Sequence, residues 1–190
     1  NRIIGIIVST VIILFSTVSF AFAEELHWGF KKATDGNQIE ISSELETMLA
    51  KYDAIYRGDP QAKTIYLTFD NGYENGFTER ILDALKEEDV PATFFLTGHY
   101  VTSASDLVKR MVKDGHIIGN HSDKHPNMAR LSEAQMLTEW QNFDKKLKEV
   151  TGIERTYYTR PPEGVYNEAL LAAGIKNEYR HIFWSIAFKD

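Results

Sequence analysis

No cysteine occurs in the 190 residues, so no disulfide can brace the fold. Stability must come from a core, which a chain of this length is large enough to bury. Basic clusters are also lacking: 21 Lys and Arg face 27 Asp and Glu, for a formal net charge of −6. Phosphate contacts need clustered Lys and Arg, so nucleic acid is excluded as an expected partner. There is no low-complexity tract and no internal sequence repeat, and a composition of 43% hydrophobic and 25% charged residues is that of an ordinary globular chain. No segment offers a clean run of the roughly 20 apolar residues that a membrane span requires.

The nearest approach to such a run is at the N-terminus. Arg2 precedes an apolar stretch from Ile3 to Phe15, small residues follow to Ala21-Phe22-Ala23, and Glu24-Glu25 come next. A basic start, an apolar stretch and an A-x-A site form the layout of a secretory signal peptide, which assigns residues 1–23 as a removed leader. An uncleaved anchor is the competing reading, and the interrupting Ser and Thr residues and the A-x-A site count against it. The mature chain is then exported, touches membrane only through this segment, and stays acidic because Arg2 is the one charge removed. The sequence starts at Asn1 and stops at Asp190 directly after the apolar segment Ile182 to Phe188, and reads as a piece of a longer chain.

Residues 24–61 read as a polar N-terminal extension with one helix, capped by Ser42-Ser43 and carrying Leu45, Met48, Leu49 and Tyr52 on one face. From residue 62 a regular alternation begins. Thr64–Phe69, Ala92–Thr97, His116–Gly119, Thr156–Thr159 and His181–Phe188 read as strands, rich in β-branched and aromatic residues. Helical spacing appears in Phe77, Ile81, Leu82 and Leu85, in Leu107 to Val112, and again in Glu168 to Ala173. A long helix opens at the capping box Ser132-Glu133-Ala134-Gln135 and runs toward Gly152. Alternating strands and helices predict an α/β fold with a parallel sheet and helical crossovers. A complete (β/α) barrel takes about 250 residues, so a partial or distorted barrel, truncated at its C-terminus, fits this length better.

In parallel α/β folds functional residues gather at the C-terminal strand ends. Three polar clusters fall there: Asp70-Asn71-Gly72, Asn120-His121-Ser122-Asp123-Lys124-His125, and Arg160-Pro161-Pro162-Glu163-Gly164. His121 and His125, four apart, can share one metal ion if they lie on a single helical turn. Asp70 can serve as general base, with Asn71 offering an amide oxygen to the metal, although Asn-Gly is equally a favoured turn. Two prolines stiffen the backbone after Arg160, whose guanidinium could pair with Asp70. His27, His99, His116 and His181 have no spacing partner and read as structural, while Tyr73, Tyr100 and Tyr166 could stack on a ligand ring or simply pack.

Thr68-Phe69-Asp70-Asn71-Gly72, His121-Ser122-Asp123-Lys124-His125 and Arg160-Pro161-Pro162-Glu163-Gly164 together resemble the polysaccharide deacetylases of carbohydrate esterase family 4, the NodB-homology domain, over residues 62–190. His27-Trp28-Gly29-Phe30 and Asp70 to Gly76 are similar to the delta-lactam branch, which deacetylates N-acetylmuramic acid in the spore cortex of Gram-positive bacilli. The resemblance implies Asp70 as base, Arg160 as its orienting partner, and Asn71, His121 and His125 around a divalent metal, with zinc expected. It places the Glu163 backbone N–H as an oxyanion donor and Asp190 as an acid that steadies the Arg. A histidine general acid would lie beyond Asp190. Most members carry Asp where Asn71 stands, so loss of a carboxylate predicts a weakly held metal. The implied partner is a peptidoglycan glycan strand, in the cell wall or spore envelope. Deacetylation of N-acetylglucosamine in peptidoglycan or chitin, or a catalytically silent glycan-binding protein, are the alternatives. No oligomeric state follows from the sequence.

Overall fold

A computed structural model describes residues 24–34 and 36–188; the proposed leader and Asp190 lie outside the described residues. Five short strands form one parallel sheet in the order β2 (Thr68–Asn71), β3 (Thr93–Leu96), β4 (Ile117–Asn120), β5 (Tyr158–Thr159) and β7 (Arg180–His181). A separate antiparallel pair joins β1 (Leu26–His27) to β6 (Val165–Tyr166). The helices are α1 (Ser43–Lys51), α2 (Thr78–Glu87), α3 (Gly98–Ser103), α4 (Ser105–Lys113), α5 (Glu133–Thr151) and α6 (Glu168–Lys176). This is the expected parallel α/β architecture with helical crossovers, and the sheet is open among the described residues.

Helix α5 shows how local chemistry sets an element. Ser132 Oγ accepts from the Gln135 amide, the Gln135 side chain accepts from the Ser132 amide, and Gly152 ends the helix at φ +81°. Between these ends Met136, Trp140, Phe143 and Leu147 recur at helical spacing and are buried. Phe143 and Leu147 join Leu82, Phe94 and Met111 in a core on one side of the sheet. Met136 and Trp140 join a second core with Leu170 and Phe183. The polar extension enters that second core through Trp28, Ile39, Leu49 and Tyr56, and Trp28 stacks on Phe183 with ring centroids 4.6 Å apart. No helix of the described residues is long and apolar enough to cross a membrane.

The strand expected over Thr156–Thr159 shortens to Tyr158–Thr159, and two others differ further. The strand expected over Thr64–Phe69 occupies Thr68–Asn71 instead, and Ile65 and Tyr66 are 80% and 70% exposed. β2 is an edge strand with β3 as its partner, so β-branched residues before Thr68 gain no second neighbour to pair with. The strand expected over His181–Phe188 shrinks to Arg180–His181. Its partner β5 ends at Thr159, and Pro161 and Pro162 cannot donate to a continuing ladder. The strands of the β1–β6 pair and the single-turn α3 were not expected; such short segments show no measurable periodicity.

Candidate active site

Strand register builds the site. Asn71 pairs with Leu96, Leu96 with Asn120, and Asn120 with Thr159, so one row runs across four strands at their C-terminal ends. His121 and Arg160 are the next residues along their chains, and backbone bonds hold them there: the His121 amide donates to Leu96 and the Arg160 amide to Asn120, at 2.9 and 3.0 Å. The three clusters, distant in sequence, are thereby brought to one edge of the sheet.

Arg160 is the centre of the arrangement. Its Nη1 donates to Asp70 Oδ1 at 2.7 Å, Nη2 to Thr68 Oγ1 at 3.0 Å and the Phe183 carbonyl at 3.3 Å, and Nε to the Ile182 carbonyl at 3.1 Å. Its side chain is only 4% exposed, whereas that of Asp70 is 38% exposed. The guanidinium lies 4.1 Å from the centroid of the Phe95 ring. That ring in turn occupies the space over Gly119, where a Cβ would come within 2.4 Å of Phe95 Cδ1. A buried cation held by four hydrogen bonds therefore faces a carboxylate that solvent can still reach, which suits a general base.

The histidine pair is not on a helical turn. Residues 121–127 form an irregular loop with positive φ at Ser122 (66°) and His125 (58°), because Pro126 and the loop's own side-chain bonds override helix. The rings still meet, with centroids 4.9 Å apart. His121 is buried and its Nδ1 donates to the Arg160 carbonyl at 2.9 Å, which leaves Nε2 with a free lone pair. Burial pushes this imidazole below its ordinary pKa, against the opposing pull of the Asp70 carboxylate, and so favours the neutral ring that a metal needs.

Asn71 carries the third donor. Its Oδ1 is buried without any hydrogen-bond partner, while its Nδ2 reaches Thr78 Oγ1 at 3.5 Å. Among the described residues no three His, Asp or Glu side chains converge as a metal-holding group, so a third protein ligand beside the histidine pair would have to be of another kind, such as this amide. An unpaired buried oxygen and a neutral, oriented imidazole at the same edge of the sheet are of the kinds that fit a cation.

Glu163 sits in the turn Pro162–Gly164 with φ +57°. The extension supports this turn: Trp28 donates its amide to the Gly164 carbonyl at 2.8 Å, and a Cβ on Gly164 would lie 3.1 Å from Trp28 Cβ. Tyr100 and Tyr166 are 0% and 1% exposed and cannot stack on a ligand; Tyr73 is 79% exposed, beside the exposed His99. His116 accepts from the Ala92 amide and His181 is wholly enclosed, both structural as expected. Sequence reasoning missed Thr68 and Phe95 as supports of Arg160; Thr68 stands one strand-face period before Asp70, whereas Phe95 meets the site only through strand register.

The sequence pattern of the polysaccharide deacetylase family matches residues 57–182. An uncharacterized 30.6 kDa protein of Geobacillus stearothermophilus is 52% identical over 93% of this chain and 67% of its own length. The peptidoglycan-N-acetylmuramic acid deacetylase PdaA of Bacillus subtilis is 43% identical over 88% of this chain and 64% of its own length. The solved structure of that Bacillus subtilis protein, a family 4 carbohydrate esterase, superposes with a TM-score of 0.85 over 88% of this chain and 71% of its own. The chain thus spans about two thirds of the length of these relatives. The chain belongs to the polysaccharide deacetylases, the family 4 carbohydrate esterases, hydrolases of amide bonds.

Proposed function

We propose that this chain is the deacetylase domain, residues 62–190 with 24–61 as a supporting extension, of an exported enzyme that removes N-acetyl groups from N-acetylmuramic acid in peptidoglycan. The buried Arg160 bonded to the solvent-accessible Asp70 carries the reading. The peptidoglycan-N-acetylmuramic acid deacetylase at 43% identity supports the substrate, and with it a place outside the cytoplasm. Muramic δ-lactam formation in the spore cortex is the setting that follows.

An amide resists hydrolysis, so water must be activated and the developing oxyanion stabilised. Asp70 takes the proton of the attacking water, and Arg160 aims the carboxylate. The Glu163 N–H donates to the oxyanion. Asn71, His121 and His125 are the residues that would hold a divalent ion, with zinc expected; when bound, it polarises the acetyl carbonyl as a Lewis acid. The family resemblance would give Asp190 the role of steadying Arg160 and a histidine the role of protonating the departing amine.

The test uses the protein that carries this chain, assayed for acetate release from intact peptidoglycan, peptide-free glycan and chitin oligomers. Release from muramic-acid-containing glycan is expected, and Asp70→Asn lowers it by about 10²–10⁴-fold. Release from chitin oligomers alone removes the muramic acid reading. Glycan binding that survives Asp70→Asn, with no acetate from the parent, leaves a silent binding protein.

A further inference from the structure

An asparagine amide has two ends of opposite use: an oxygen that can ligate a cation and an NH₂ that repels one. Which end Asn71 turns outward is decided by its neighbours. Glu74, three residues on, accepts the Tyr100 hydroxyl on Oε2 at 2.6 Å. Its other oxygen accepts the Gly76 amide at 2.6 Å and the Thr78 amide at 3.5 Å. Tyr100 is fully buried, and its hydroxyl lies 3.0 Å from Thr78 Oγ1. Thr78 Oγ1 in turn lies 3.5 Å from Asn71 Nδ2.

Proton counting gives this chain one direction. The Glu74 carboxylate has only lone pairs, so Tyr100 must give it its single hydroxyl proton. Burial works against the charge on Glu74, but bonds from Thr78, Tyr100 and the two amides outweigh it and hold the carboxyl below its usual range. With its proton committed, the Tyr100 oxygen can only accept, and the single Thr78 proton goes to that oxygen or to Glu74, in neither case toward Asn71. Thr78 Oγ1 then offers a lone pair toward Asn71, which only the NH₂ end can use. The amide oxygen is left over, buried and unpaired.

We propose that Glu74, acting through Tyr100 and Thr78, is a positioning residue that fixes the Asn71 amide with its oxygen free for a cation. The assignment builds on the metal-site reading above and names the residues that make a neutral amide serve in place of a carboxylate. It also accounts for the unpaired oxygen. Rotating the amide would satisfy Oδ1 on Thr78 only if Thr78 turned its one proton away from Tyr100 and Glu74, leaving the lone pairs of the Thr78 and Tyr100 oxygens facing each other at 3.0 Å. Relays of this kind behind a ligand are typically worth 10–100-fold in metal affinity.

Two measurements on the full chain separate the relay from the metal site. The first is hydrogen exchange and chemical shift of the Asn71 side-chain NH₂ by NMR, without metal. Slow exchange is expected in the parent and in Thr78→Ser, and fast exchange with a shifted resonance in Thr78→Val and Tyr100→Phe. An Asn71 NH₂ signal that is the same in all four proteins overturns the relay. The second is zinc titration calorimetry. Thr78→Val and Tyr100→Phe are expected to bind about 10-fold more weakly than the parent, and Thr78→Ser to bind like it. Parental zinc affinity in Thr78→Val also overturns the relay. A parent that binds zinc no better than His121→Ala overturns the metal site instead, and the NMR result then decides the relay alone.

Discussion

The loop after β4 and the loop after β2 hold the proposed ligands by opposite means. After β4 the backbone itself is anchored from every side. Asn120 donates to the Trp140 carbonyl at 3.1 Å and lies within 3.4 Å of Asp144 Oδ1, and its own oxygen accepts from the Ser122 amide at 2.9 Å. Ser122 Oγ accepts from the His125 amide at 2.9 Å, and buried Asp123 pairs with Lys146 of α5 at 2.5 Å. After β2, Asp70 is exposed and steadied from one direction by Arg160, and Asn71 touches its relay only through the longest contact in it. An anchored backbone suits a loop that must keep positive φ at Ser122 and His125; a reachable carboxylate suits a base that meets water. The lesson is that pre-organisation here resides in the neighbours of each residue rather than in the motif residues themselves.

Breaking the β2 side at its single support has the largest expected effect. Arg160→Met strips donors from Thr68, Ile182, Phe183 and Asp70 at once, and about 3 kcal/mol of stability should be lost by urea denaturation. The figure is held down because Asp70 can rewet. If stability falls by less than about 1 kcal/mol, Arg160 serves the reaction but not the fold.

Overpacking the β4 loop comes next. A Cβ on Gly98 would sit 1.9 Å from Asp123 Oδ1, and that carboxylate is tied to Lys146. Gly98→Ala should cost about 2 kcal/mol in thermal or urea melts and weaken zinc binding by displacing the histidines. A neutral result would show the loop to be softer than its bonds suggest.

Acid tests the two buried histidines against each other. His121 has Asp70 nearby to favour its charged form, whereas His181 is enclosed with no such partner and burial pushes it down to about 3. A depressed pKa gives stability that is complete above the unfolded value of 6.5 and is lost as pH falls toward the folded one. Between pH 6.5 and 5 the His181 share of that loss is about 2 kcal/mol, read as a falling urea midpoint. His181→Leu should flatten the slope; an unchanged slope would assign acid sensitivity to His121 or the carboxylates.

The smallest effect is at the distant end of α5, which carries both Asp144 and Lys146. Ser132→Ala removes one half of the capping box and should cost about 1 kcal/mol, with zinc affinity unchanged. A change in affinity would mean that helix position, and not only the local bonds, sets the β4 loop.

Much of this was legible beforehand. The capping box of α5, the Ser42 cap of α1 and the alternation from β3 to α6 follow from propensity and periodicity, which are local. The three motif clusters were also legible, because parallel strands place the residues after them at one edge. Illegible were the true extents of β2 and β7, whose limits depend on what pairs beside them. The conformation of His121 to His125 was hidden for a similar reason: spacing suggests a helical turn, whereas Pro126 and the Ser122 hydroxyl impose a loop. Trp28 looked like part of a polar lead-in, yet it packs against Phe183 and braces the Glu163 turn from more than a hundred residues away.

By itself the sequence determined the family, the order of strands and helices, and which polar residues stand at strand ends, because these rest on short-range chemistry and on spacing. The tertiary structure alone decided that Arg160 meets Asp70, that His121 turns its Nδ1 to the Arg160 carbonyl, and that Asn71 keeps its oxygen unpaired. Each of those depends on strand register and on where a neighbour's proton can go, and neither is encoded within one stretch of chain.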